Sequence, residues 1–257
     1  MPSKQRYVSA ELAHFVGRGL AEAEQYKLLV KIIKEGSITH HPHSLNISGN
    51  LSVNTGAKFS ANDMYCPQSI CFCDIPLADL GIHITKYSRF GLSFSKDFLV
   101  KQGGCPIFYI PLQAKVRVIK PQEELLKLNK KGDFPSLFDD IEKKDYFDRM
   151  MHEYHYFVNL FGNLIMDSRQ QPGVPQEYHK LRELTAFLNF HIFSYIKFYD
   201  HNFAEEDDKN YYLEREWRIV GNLQFSITDI QTVFIKEDYA TRFREDCPLY
   251  NSQLIFV

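Results

Sequence analysis

The distribution of residue types along the chain restricts it to a sheet interrupted by helices. Runs of β-type composition, SICFCDI, FGLSFS and PIFYIPLQAKVRVI, precede Lys120, and YYLEREWRIV, LQFSI and QTVFIK follow Tyr199. Between them EELLKLNKK, DDIEKKDYFDRMMHEYHYFVNLFGNLIM and ELTAFLNFHIFSYIKFYD read as helices, broken at QQPGVPQ. Strand-forming segments on both sides of a helical block must pair with each other to bury their faces. The pattern predicts one α+β domain over residues 1–257, built on a mixed central sheet, with a helical insertion over 120–200.

The N-terminal part is specific. HFV, before the turn GRG, reads as the end of a first strand. In AEAEQYKLLVKIIKEG the residues Leu28, Leu29, Ile32 and Ile33 repeat at helical spacing. Acidic residues gather at the start, where the helix dipole favours them, and Gly36 closes the end. A helix over about residues 21–35 follows. The polar stretch from Ser37 to Gln68 reads as a long loop with short strands at LNI and LSV at most. PLADLGIHITKY reads as a short helix opened by Pro76.

Function classes narrow next. A net charge of −2 does not favour nucleic acid as a partner. No apolar run is long enough to span a membrane, and the N-terminus has no signal-peptide core. Five cysteines, an odd number, fit free thiols in a reducing cytoplasm. His40, His41 and His43 are spaced too tightly for common structural zinc patterns. Cys66, Cys71 and Cys73 lack C-x-x-C spacing, and HEYH at 152–155 falls one residue short of the zincin helix motif. No metal site is expected. There is no Walker loop, no dinucleotide fingerprint and no nucleophile elbow.

The carboxylates of YYLEREWRIV are the chemical candidates. In a strand, Glu214, Glu216 and Arg218 share one face, and Leu213, Arg215, Trp217 and Ile219 share the other. The second face is expected to meet the core. The first is either a solvated strand with a Glu–Arg pair or a pair of carboxylates facing a cleft. His14, at the end of the first strand and before a two-glycine turn, is either a hydrogen-bonded core residue or a site residue.

Two resemblances add to this. YVSAELAHFVGRG, YKLLVKIIKEG, the block from ICFCDIPL to IFYIP, and YLEREWRIVG resemble the abortive phage-resistance family AbiGi. That family implies an antitoxin of an abortive-infection pair, with a nucleotidyltransferase-like toxin as partner. The order His, helix, Gly, loop, strand, Tyr, insertion and Glu is similar to ADP-ribosyltransferases of the His–Tyr–Glu type. That likeness implies an ADP-ribosyltransferase-like sheet and NAD as substrate. His14 would hydrogen-bond the nicotinamide-side ribose, Tyr87 would stack on nicotinamide, and Glu216 or Glu214 would stabilise the oxocarbenium-like transition state. Phe15 would help hold the ligand, and Arg18 or Arg89 would pair with the diphosphate. His83 or Tyr109 remain alternatives for the His and Tyr roles. The acceptor would be a protein, a nucleic acid or water.

Overall fold

A computed structural model describes residues 9–39, 51–76, 79–120, 138–167, 173–204, 207 and 209–257. The chain forms two compact units, one of residues 1–51, 67–107 and 204–257, the other of residues 52–66 and 108–203. The expected readings at His40, His41, His43, LNI and EELLKLNKK lie outside the described residues. Both helices and a large mixed sheet are present, as the α+β reading expects.

The first unit holds a seven-stranded sheet. In chain order its elements are β1 (Glu11–Phe15), α1 (Glu22–Glu35), β2 (Ser69–Cys73), α2 (Gly81–Lys86), β3 (Gly91–Ser95), α3 (Lys96–Lys101), β4 (Cys105–Pro106), β5 (Glu216–Val220), β6 (Ile230–Ile235), α4 (Ala240–Asp246) and β7 (Gln253–Phe256). The strand order is β7-β6-β3-β1-β2-β5-β4. Only β6 and β7 run parallel; the other neighbours are antiparallel.

Helix α1 starts one residue later than expected and ends where Gly36 predicts. Gly36 sits at φ 62°, and its N–H caps Ile32 O at 3.0 Å. A Cβ there would also meet Phe225 O at 2.6 Å, so glycine is required twice over. Tyr26, Leu29, Val30, Ile32 and Ile33 are buried in the main core with Leu12, Phe72, Phe94 and Ile219. Burying side chains of this size stabilises the fold by about 1.5–3 kcal/mol each. The alternate residues of the same strands meet a smaller cluster of Ala13, Cys73, Ile75, Leu80 and Phe234, against which Ile84 of α2 packs. The sheet is therefore covered on both faces, and α2 belongs to the second face.

The second unit differs from a purely helical insertion. Helices occupy Lys143–Asp167 and Gln176–His191. Phe138–Glu142 is a strand paired with Lys115–Ile119, and Ile196–Tyr199 is a strand parallel to Phe108–Pro111. PIFYIPLQAKVRVI thus holds two strands, Phe108–Pro111 and Lys115–Ile119, and the end of a third, Cys105–Pro106, which alone joins the large sheet. Phe59 centres this unit, with the Tyr65, Phe193 and Phe198 rings within 6.0 Å. Asn62 exchanges two hydrogen bonds with the Phe198 backbone, at 2.8 and 3.0 Å. The helix expected to open at Pro76 begins instead at Gly81, and Asp79 N–H donates to Pro76 O. No helix among the described residues is long and apolar enough to cross a membrane.

Candidate functional site

Strands β1 and β2 share a single paired position, Ala13 opposite Cys73. Beyond it His14 Nδ1 donates to Cys71 O at 2.8 Å. A carbonyl only accepts, so this bond places the proton on Nδ1. At this end of the two strands a cavity of about 520 Å³ opens in the first unit. Its floor is small side chains of the sheet (Ala13, Ser69, Cys71 and Cys73), and His83 and Tyr87 line it from α2 and the helix's C-terminal cap.

Glu214 and Glu216 both line this cavity, but not by the expected route. Only Glu216 is in a strand, opposite Cys73. Glu214 ends a 3-10 turn, Tyr211–Glu214, and Arg215 between them is left-handed at φ 44°. That conformation is uncommon for a residue with a side chain. It is held by Asp74, whose N–H donates to Arg215 O at 3.3 Å and whose carboxylate lies 3.7 Å from the Arg215 guanidinium. The kink swings Glu214 onto the same cavity as Glu216. Trp217 and Ile219, on the other face of β5, pack in the main core as expected.

Four further expected residues can be placed. Phe15 and Arg18 line the cavity. The Phe15 ring also packs on Phe234 at 5.6 Å, and the Arg18 guanidinium lies over the Tyr87 ring at 5.1 Å. Arg89 is exposed and is not part of the lining. Tyr109 belongs to the second unit, where its ring meets Tyr199. His14 and Glu216 are on β1 and β5, with β2 between them.

Among known families, the one described as "Putative abortive phage resistance protein AbiGi, antitoxin" matches residues 61–254, about three quarters of the chain. The chain belongs to the AbiGi family. No curated protein and no solved structure matches it. The AbiGi match takes in β2, α2 and both glutamates, while Ala13, His14, Phe15 and Arg18 precede it.

The cavity of this AbiGi chain pairs each carboxylate with a cation. Glu214 accepts from Lys86 Nζ at 3.0 Å and from the Tyr87 hydroxyl, with both ion-pair side chains at or below 10% exposure. Glu216 accepts from Arg218 Nε at 2.5 Å, the two being 4% and 13% exposed. Such pairs cost desolvation and are strongly destabilising to break from one side. In the sequence, the only signal that Lys86 gives is its adjacency to Tyr87.

Burial, reinforced by Glu216 and opposed by Arg218, pushes the Cys71 thiol up to about 12. Burial does the same for Cys73, also to about 12. A raised thiol favours its protonated form, whereas the thiolate is the reactive form. Burial and then Glu214 raise the Tyr87 phenol, which stays a proton donor. No cluster of metal-ligating side chains occurs among the described residues. His155 of the HEYH segment has its Nε2 2.8 Å from the Tyr65 hydroxyl.

Proposed function

We propose that this chain is the antitoxin of an abortive-infection phage-defence pair and acts by binding a cognate toxin, expected to be nucleotidyltransferase-like. The AbiGi match over residues 61–254 carries this reading. A protein that works by binding needs a surface to offer, and the helix Lys143–Asp167 has one. Phe157, Leu160, Phe161 and Leu164 follow i, i+3, i+4, i+7 spacing, and all are exposed. At 3.6 residues per turn they lie opposite Gly162, which packs toward Tyr178 of the neighbouring helix. An apolar stripe about 100° wide on an outward face is unusual for a chain that works alone.

The test is co-expression of the cognate toxin with the wild type and with Phe161→Asp. Rescue of growth and co-purification with the wild type, both lost in a folded Phe161→Asp, are the expected results. Rescue undiminished by Phe161→Asp would remove the stripe from the interface. Absence of rescue by the wild type would remove the antitoxin reading.

A second reading is favoured by one observation: His14, Tyr87, Glu214 and Glu216 all line one cavity. On this reading the cavity binds NAD, as an ADP-ribosyltransferase-like site. The bond between nicotinamide and the ribose C1′ breaks, and its electron pair leaves with nicotinamide. A nucleophile of the acceptor then bonds to C1′ and gives its proton to a base. The carboxylates would stabilise the positive sugar. Lys86 and Arg218 partly neutralise them, which weakens the field they place on that charge and favours binding over turnover. Incubating the purified chain with NAD and measuring nicotinamide release, with and without the toxin as acceptor, separates binding from chemistry.

A further inference from the structure

His83 is a buried polar side chain that the fold leaves unanswered. It is 5% exposed and lines the cavity. Neither Nδ1 nor Nε2 has a hydrogen-bond partner among the described residues. Other polar groups of the cavity are engaged: His14 with Cys71 O, Tyr87 with Glu214, Glu214 with Lys86, Glu216 with Arg218, and Arg18 with the Tyr87 ring. A buried donor or acceptor without a partner carries its full desolvation penalty. An apolar ring of the same size would avoid that penalty. Attachment of α2 does not require His83, because Leu80 and Ile84 anchor that segment in the second apolar cluster.

The ring's surroundings indicate what it would bind. Tyr87, one turn later, has its ring centroid 6.2 Å away at an interplanar angle of 32°. The Arg18 guanidinium and Lys86 Nζ lie over the Tyr87 ring, at 5.1 and 5.5 Å, so a flat ligand would sit beside that ring and carry an edge substituent to His83. The charges facing His83 are Glu214, from the 3-10 turn, and Lys86, from α2, and they act in opposite directions. Burial dominates and holds the imidazole below its ordinary range, so the ring is neutral at neutral pH. A neutral imidazole offers one donor and one acceptor. That suits an uncharged polar group. Phosphate suits Arg18 instead, and hydroxyls suit the acceptor-only carboxylates.

We infer that His83 hydrogen-bonds the carboxamide of a pyridine-ring ligand seated beside Tyr87, and so sets a preference for nicotinamide-bearing ligands over the same nucleotide without nicotinamide. This rests on the reading of the cavity as an NAD site.

The experiment is calorimetric titration of the full chain with NAD, ADP-ribose and nicotinamide, using the wild type, His83→Phe and His83→Asn. The wild type is expected to bind NAD more tightly than ADP-ribose. His83→Phe should weaken NAD by about tenfold, the loss of one or two hydrogen bonds, and leave ADP-ribose unchanged. His83→Asn, which keeps a donor and an acceptor, should recover part of the loss. A higher melting temperature of ligand-free His83→Phe would show that the variant folds and that the unanswered ring was a cost. Equal NAD binding by His83→Phe and wild type would overturn the role of His83 while leaving the NAD reading in place. Equal wild-type affinity for NAD and ADP-ribose would overturn it in the same way. Wild type that binds neither nucleotide would overturn the NAD reading and the inference together.

Discussion

The Tyr87 hydroxyl and the Lys86 ammonium both donate to Oε1 of Glu214, so adjacent residues at the end of α2 clamp a carboxylate from a turn more than a hundred residues away. The two donors contribute unequally. Removing the phenol leaves the ion pair in place, whereas removing the carboxylate charge takes from buried Lys86 the counter-ion 3.0 Å away. Tyr87→Phe should cost about 1–3 kcal/mol, the worth of a hydrogen bond to a charged group. Glu214→Gln should cost about 3–5 kcal/mol. Urea unfolding followed by circular dichroism checks the order. Equal costs would mean that the ion pair contributes nothing beyond the hydrogen bond.

Glu216→Gln is nearly isosteric, and from sequence alone it is expected to leave the fold intact. The structure changes that expectation, because Arg218 would lose the partner that lies 2.5 Å from its Nε and stay mostly buried. A loss of about 3–5 kcal/mol in unfolding free energy is expected. Glu216→Gln combined with Arg218→Met should be more stable than Glu216→Gln alone, since the buried charge that Glu216 balanced is removed with it. If the double variant is the less stable one, the pair is not what Glu216 supplies.

The first unit was the more legible part in sequence, for reasons that individual residues show. β2 and β3 fall inside SICFCDI and FGLSFS because a strand covered on both faces is apolar along its length. α1 was marked by its acids, its apolar stripe and Gly36. The second unit was less legible because its strands depend on distant partners. Ile196–Tyr199 pairs with Phe108–Pro111, a contact that local helical spacing cannot reveal. At the cavity, alternation along a strand put Glu214 and Glu216 together, but Arg215 in the left-handed region is what brings them there. A non-glycine residue gives no sequence signal for that conformation. The unanswered ring of His83 is a matter of surroundings, which sequence does not display.

The pH dependence of stability should bend at both ends. The Tyr87 phenol is raised in the folded chain, by burial first and Glu214 second. Above the ordinary tyrosine range, about 10, the unfolded chain ionises while folded Tyr87 does not, so stability falls as pH rises. Tyr26, Tyr65 and Tyr250 are raised by burial and act in the same direction. His83 is lowered by burial, with Glu214 and Lys86 opposing each other. Below about 6.5 the unfolded chain binds a proton that folded His83 refuses, so stability falls as pH falls. His155 contributes likewise. Each such group adds at most about 1.4 kcal/mol per pH unit. Urea midpoints at pH 5.5 and 7.5 should differ less in His83→Phe than in the wild type. An unchanged difference would mean that folded His83 protonates normally.

Gly91 links the packing of the sheet to the cavity. It sits opposite Phe15 on β3, and a Cβ there would meet His14 O at 2.6 Å and the Phe15 ring at 3.0 Å. The obstructing atoms include backbone of β1, which cannot move aside as a flexible side chain does. Gly91→Ala should therefore push β1 from β3 at the two residues that line the cavity, at a cost of about 1–3 kcal/mol. Gly81→Ala is the control. Gly81 begins α2, its added methyl would meet nothing within 4 Å, and alanine favours a helix over glycine by up to about 1 kcal/mol. Unfolding free energies of the two variants should move in opposite directions. The His14 ring resonances in a nitrogen-correlated spectrum should shift in Gly91→Ala and stay in place in Gly81→Ala. A Gly91→Ala chain as stable as wild type, with His14 undisturbed, would mean that β1 and β3 have slack at this point and that the strand does not hold His14 rigidly against Cys71.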